Sequence, residues 1–391
     1  DAKTAARQHL AERAETLIAL SHRIHAHPEL AFEEHRASTW LCELLDREGL
    51  SVTRGAFDLP TAFVARAGHG PVHIAICAEY DALPTIGHAC GHNMIAAMAA
   101  GAGLAAAPLA DEVGLTIHIV GTPAEEAGGG KIRLLERGAF TGMHAAMMVH
   151  PAPFDVLEPP MLAYADFDVH YHGKAAHAAA FPDRGVNAGD ALVVAQTAIG
   201  LLRQHLEPDQ RIHGIVTCGG EAPNIVPAHT SGRWAARART LADIDRLRAR
   251  LHRCFEAGAL ATGCTLRIEE TSPPYAHVVH DRTIAAAYRR NAEALGRRFL
   301  PPTPELARFA ASTDMGNVSL VVPSIHPTIG LDCFPAVNHQ PEFAAACITA
   351  AADRATLDGA LAMAWTAIDL ATDGALRSRL LEGPARSSAG D

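Results

Sequence analysis

Three uninterrupted apolar runs, Val72–Ala78, Leu115–Gly121 and Ala145–Val149, set the strongest limit on what this chain can fold into. A strand covered on both faces reads as a continuous hydrophobic run, and such strands belong to parallel sheets flanked by helices. Each run ends in a polar cluster: AEYDALP and GHACGH after the first, TPAEEAGGG after the second, His150-Pro151 after the third. Helical patterns such as KIRLLERGAF lie between them. The alternation predicts an α/β fold, a mixed sheet with helices on both faces. In open α/β sheets, sites form beyond the carboxyl ends of the strands, so the three clusters are expected to meet.

From Met161 the texture changes, because ADFDVHYHG alternates polar and apolar residues as a half-exposed strand does. A helix is expected near Asn187–His205, strands near Ile212–Cys218 and Arg233–Ala238, a helix near Leu241–Ala257 and a strand near Thr265–Glu269. That order, βαββαβ, describes a ferredoxin-like sheet backed by two helices, inserted as a lid. The expected domains are therefore 1–160 with 275–391, and the lid at 161–274. An Ala-rich helix is expected from about Glu342, and the last residues, EGPARSSAGD, to fray.

At 391 residues and 49% hydrophobic content the chain has enough material for two cores. A formal charge of −10 argues against nucleic acid as a partner, since such proteins present a basic face. Eight cysteines without regular spacing do not form a disulfide framework, which suits the cytoplasm. The N-terminal segment reads as an amphipathic helix rather than an export signal. Met94–Ala110 is uncharged but rich in Ala and Gly, and is expected to be a buried helix rather than a membrane span. GAGLAA within it does not follow a strand, as a dinucleotide fingerprint must. Gly128-Gly129-Gly130-Lys131 lacks the spacing and hydroxyl of a phosphate loop.

Cys90 and His92 flank a glycine, which lets thiol and imidazole bend toward one point as a metal-ligand pair. Glu125 and Glu126 are adjacent carboxylates that point in different directions, so one can bind metal while the other moves protons. His150 and His339 could each be structural, as could Cys90 or the acidic pair taken alone; the chain has 23 histidines. Together, Cys90, His92, Glu126, His150 and His339 are too many ligands for one tetrahedral ion and suit two divalent cations sharing a bridge. Thiolate and imidazole favour zinc, and the carboxylate also permits manganese. No G-x-S-x-G elbow is present, so a metal-activated water is the nucleophile expected, with Glu125 as its base.

AEYDALP, GHACGHN, GTPAEEAGGGK, STDMGNVS and NHQPEF, in this order, make the chain resemble the metal-dependent amidohydrolases and exopeptidases that include aminoacylases, hippurate hydrolases and auxin-conjugate hydrolases. The nearest branch is that of aminoacylase-like dipeptidases and p-aminobenzoyl-glutamate hydrolase subunits. The resemblance implies hydrolysis of the amide bond of an N-acyl amino acid, an aryl-amide conjugate or a dipeptide, with the five ligands and Glu125 in the roles above. It further implies a lid histidine at His177 that steadies the oxyanion, substrate contacts from Asn224 and Arg237, and a homodimer formed through the lid. His177 could otherwise be an exposed histidine, Asn224 a turn residue and Arg237 the end of a strand.

Two departures from the family pattern stand out. Glu79 occupies the place where distant relatives carry a ligating histidine, which leaves Asp81 to orient a ligand. Asn93 replaces the aspartate common after CGH. The rival functions are a cysteine hydrolase using Cys90, and a catalytically silent metal-binding homologue.

Overall fold

The computed structural model describes residues 1–303, 306 and 310–383. They fall into two compact units: Asp1–Pro160 with Val278–Ala310 and Asp314–Asp391, and Met161–His277 with Ala311–Thr313. The strands are β1 (Ser51–Arg54), β2 (Phe63–Ala67), β3 (Val72–Ala78), β4 (Leu115–Gly121), β5 (Ala145–Met147), β6 (His150–Ala152), β7 (Ala163–His172), β8 (Arg211–Cys218), β9 (His229–Ala238), β10 (Thr265–Glu270), β11 (Ser324–Ile325) and β12 (Thr328–Gly330).

In the first unit β1-β2-β4-β3-β5-β11 form one sheet. β3, β4, β5 and β11 run parallel, and β2 joins antiparallel to β4, so the sheet is mixed. The apolar run after Phe140 does not continue as one strand to Val149. β5 stops at Met147, and His150 opens β6, which pairs in parallel with β12 in a separate two-stranded sheet. The expected C-terminal helix is three, Pro341–Ala346, Ala350–Thr372 and Gly374–Leu381, the second capped by the Thr349 hydroxyl accepting from Ala352 N. Of the C-terminal run 382–391, the residues after Gly383 lie outside the described part.

The helix His92–Ala106 is buried along its whole length. Its glycines explain how it lies so close to its neighbours: a Cβ at Gly103 would come 2.7 Å from the Ile119 side chain, and one at Gly101 2.9 Å from Ala360. With its continuation to Val113 it is long and apolar enough to cross a membrane by length and composition, yet 89% of its most apolar window is covered by the rest of the protein, as expected of a buried helix. Its cover includes Leu10, Leu17, Ile119 and Met363, in one continuous core. Each such side chain, fully buried, contributes about 1.5–3 kcal/mol.

The second unit is an antiparallel sheet of order β10-β7-β9-β8, with the chain order βαββαβ. Period-2 alternation along β7 sends Ala163, Ala165, Phe167, Val169 and Tyr171 into a core with the helices Ala188–Arg203 and Leu241–Thr262. Leu241–Thr262 begins with a reciprocal capping box between Thr240 and Asp243. Tyr164 and Tyr275 exchange backbone hydrogen bonds, which keeps residues 275–277 with this unit.

Candidate metal centre

β3 delivers Glu79 and Asp81, both buried, at its carboxyl end. Gly91 is left-handed at φ 78°, and a Cβ there would approach Pro151 to 2.9 Å. Only glycine fits, and the turn brings Cys90 and His92 toward the same side. His92 starts the long helix, and its Nδ1 donates to the Asp81 carbonyl at 2.9 Å and lies 3.0 Å from Asp81 Oδ1. Asp81 Oδ2 accepts from Glu126 N at 2.9 Å, so one carboxylate fixes both a histidine ring and the loop that carries the paired glutamates. His150 Nδ1 donates to the Pro151 carbonyl at 2.8 Å, and its Nε2 lies 3.5 Å from Cys90 Sγ. His339, at φ 67°, is anchored by its N–H to Ala89 O and sits with Nε2 3.5 Å from Glu126 Oε2. A side chain held at positive φ is strain that the surrounding contacts must maintain.

Because carbonyl oxygens only accept, Nδ1 carries a proton in both His92 and His150, so the neutral ring of each presents its lone pair at Nε2. The ligand atoms of Cys90, His92 and His150 lie within 4.8 Å of one another, and so do those of Cys90, Glu126 and His339. The ligand atoms of Glu79, His92 and Glu125 form a third such set, so Cys90 Sγ is shared by the first two sets and His92 by the first and third. Buried His92 Nε2, Glu79 Oε2 and Glu126 Oε1 have no hydrogen-bond partner, a costly state for polar atoms unless a cation lies between them. The donor set therefore has the residues to hold two divalent cations, with Cys90, His92, Glu126, His150 and His339 as the groups that would bind them.

The electrostatics point the same way. Burial pushes the Cys90 thiol well above its ordinary range, and Glu126 adds to the shift, so a free nucleophilic thiolate is disfavoured. Burial, then Glu79 and Glu126, raise the Glu125 carboxyl well above the usual range. Burial raises Glu126 to about 7 against the opposing pull of His92. Burial lowers His150 to about 4. Glu125 lies beside these groups, 3.9 Å from His92 Nε2.

Several contributors carried no role in the sequence. Lys131 is fully buried, with Nζ 2.5 Å from Glu79 Oε1 and 2.7 Å from Asp314 Oδ1, and Glu79 Oε2 is 3.2 Å from His92 Nε2. GGGK and STDMGN therefore hold a charge triad behind the candidate ligands. Glu34 Oε1 accepts from Ala124 N at 2.8 Å, which supports the positive φ of Ala124 just before the glutamate pair. Buried His326 has its ring 5.5 Å from that of His150. A short polar run such as FEEH gave no sign that Glu34 would reach Ala124.

His177, Asn224 and Arg237 belong to the second unit. His177 is exposed, and its Nδ1 accepts from Ala179 N and Ala180 N at 3.3 and 3.1 Å, so its Nε2 bears the proton. Asn224 is exposed, and its carbonyl accepts from Ala178 N. Arg237 Nη1 donates to Ser312 Oγ at 2.6 Å, and its guanidinium lies 4.6 Å from the Tyr164 ring centroid.

A family model described as peptidase family M20/M25/M40 matches residues 75–355. The chain belongs to that family. It is an enzyme of the metallopeptidase type, and its relatives include dipeptidases and hydrolases. A Xaa-Arg dipeptidase from Mus musculus is 42% identical, over 97% of this chain and 90% of that protein. The fold is shared with the aminobenzoyl-glutamate utilization protein from Klebsiella pneumoniae, with a TM-score of 0.71, 18% identity, and 92% and 97% of the two chains covered. It is shared too with a Bacillus subtilis protein described as a dinuclear metal binding peptidase of the M20 family, with a TM-score of 0.64, 20% identity, and 90% and 98% covered.

Proposed function

We propose that this member of the M20/M25/M40 family hydrolyses the amide bond of a dipeptide or N-acyl amino acid at a two-cation centre. The observation that carries the proposal is Cys90 Sγ standing in two ligand sets at once, one with His92 and His150 and one with Glu126 and His339, with the Glu125 carboxylate beside them. Cations bound there, zinc first and manganese second, would polarise the scissile carbonyl and acidify water. Glu125 takes the proton from the attacking water and passes it to the leaving amine. Asp81 keeps the His92 lone pair aimed inward. His177 offers a neutral Nε2–H to the developing oxyanion, supported by the backbone donors that fix its tautomer. Arg237 is the partner for a substrate carboxylate, with Asn224 as a further contact.

Similarity to Xaa-Arg dipeptidases makes a dipeptide ending in a basic residue the first substrate to try. The test is a hydrolysis panel of Xaa-Arg and Xaa-Lys dipeptides, N-acyl amino acids and aryl amides of glutamate. It is run on chelated protein and again after zinc or manganese is returned. Cleavage only with metal supports the proposal; full activity in chelated protein, abolished by thiol alkylation, sinks it in favour of a Cys90 nucleophile. The protein is further proposed to act in the cytoplasm, without nucleic acid or membrane as partner, and as a homodimer formed through the second unit. In that dimer His177 serves the neighbouring chain's site. Inactive His177→Ala and Glu125→Ala chains, co-expressed, should then recover at most about a quarter of wild-type activity, because half the dimers are mixed and each has one intact site. No recovery in verified mixed dimers would return His177 to its own chain.

A further inference from the structure

On the sheet of the second unit, β7 carries His170 and His172 two residues apart, on the face opposite buried Val169 and Tyr171. His172 stands directly across from His229 in β9. The three rings stack, with centroids 4.8 Å apart for His172 and His229 and 5.4 Å for His170 and His229. His170 Nδ1 and His229 Nε2 share a hydrogen bond of 3.1 Å, whose proton a bound ion would displace. Two nitrogens bound to one tetrahedral zinc, at Zn–N distances of about 2.0–2.1 Å, are themselves about 3.3 Å apart. The other nitrogen of His170, Nε2, lies 3.9 Å from Glu269 Oε2, close enough for a small side-chain rotation to bring the carboxylate into hydrogen-bond reach of a ligating imidazole.

We propose that His170, His172 and His229 bind a divalent transition-metal ion of the zinc class, at a site separate from the candidate centre of the first unit. His170 ligates through Nδ1, with its Nε2–H turned to Glu269, and His229 ligates through Nε2. His172 is exposed, so its ring can rotate from the stack to supply the third nitrogen. Two histidines from one strand and one from its neighbour leave a fourth position for water or an outside ligand. Partial burial and the adjoining His172 and His170 hold the His229 ring below its ordinary proton affinity, so its lone pair is available at neutral pH.

The placement gives such an ion a consequence. His172 is the last residue before the loop that carries His177, and His229 the first after the loop that carries Asn224. These loops are already joined by Gly173 N to Ala228 O, Val226 N to Ala176 O and Ala178 N to Asn224 O. An ion between His172 and His229 ties the roots of both.

The test titrates zinc into the full metal-free chain against a chromophoric chelator, comparing wild type with His172→Gln, His229→Gln and the double variant. Wild type should take up one equivalent more than the double variant. Each single substitution should weaken that equivalent by about 10-fold or more. Amide exchange in 173–187 and 219–228 should slow with the extra equivalent in wild type alone. Equal uptake by wild type and the double variant, both with native melting curves, would overturn the proposal. The comparison is a difference between chains, so it stands even if the first unit binds no metal at all.

Discussion

Asp81→Asn keeps the shape of the side chain and removes its second acceptor oxygen. In the wild type Oδ1 faces His92 Nδ1 at 3.0 Å and Oδ2 accepts from Glu126 N at 2.9 Å, in a fully enclosed setting. An amide can serve only one of these donors and must turn its NH2 against the other. His92 cannot relieve the conflict by moving its proton to Nε2, because Nδ1 also donates to the Asp81 carbonyl and Nε2 would lose its ligand lone pair. Hydrogen bonds to charged groups contribute about 1.5–3 kcal/mol each, and a stranded buried donor costs about 1–3 kcal/mol. The metal-free variant should therefore be about 2–4 kcal/mol less stable in denaturant titration. Loss of an orienting partner of this kind lowers metal affinity by about 10- to 100-fold. Competition with a chelator, run beside the unfolding experiment, measures both effects. A variant that binds metal as tightly as wild type, whatever its stability, would refute the claim that Asp81 sets the His92 tautomer.

Four further substitutions probe other parts of the site and sheet. Glu125→Gln should retain its metal and lose turnover by about 10² or more, whereas Glu126→Gln should lose metal; equal metal loss in both would remove the division of roles. Lys131→Met strands Glu79 and Asp314 in the core and should cost about 3–5 kcal/mol by chemical denaturation; a cost under about 1 kcal/mol would mean the triad is not charged as drawn. His118, packed against His73 with ring nitrogens 3.2 Å apart, is lowered to about 4 by burial, then by His73 and Arg66. A histidine whose folded value lies below the unfolded one of 6.5 contributes stability that is complete above pH 6.5 and is lost as pH falls toward 4, by about 3 kcal/mol at most. His118→Gln should flatten that acid limb of the stability curve, and an unchanged slope would point to other groups.

What could be read from the sequence follows burial. β3 and β4 are covered on both faces, so their ends coincide with the ends of the apolar runs. Ala145–Val149 is equally buried throughout, so hydrophobicity could not mark the point where β5 stops and the chain crosses to β6. β2 was hidden because Arg66 interrupts a short strand. The break before Ala350 had a local signal in Thr349, masked by the alanines on both sides. Cys90, His92 and the Glu125–Glu126 pair were legible because each sits in a short motif with its own chemistry. Lys131, Asp314 and Glu34 were not, since their meaning lies in partners 52, 183 and 90 residues away. The same holds for His229, which meets His172 only through strand pairing.

The central claim is that Cys90 joins two cations at a centre that cleaves amide bonds. The direct measurement adds zinc in steps to metal-free chain carrying His172→Gln and His229→Gln, with and without Cys90→Ala, and records bound metal and dipeptide hydrolysis in the same samples. With Cys90 present, activity should rise to a plateau as bound metal reaches two equivalents, and with Cys90→Ala both cations should bind weakly and hydrolysis should fail. Two tightly held equivalents in the Cys90→Ala chain, or full hydrolysis before any metal is bound, would contradict it.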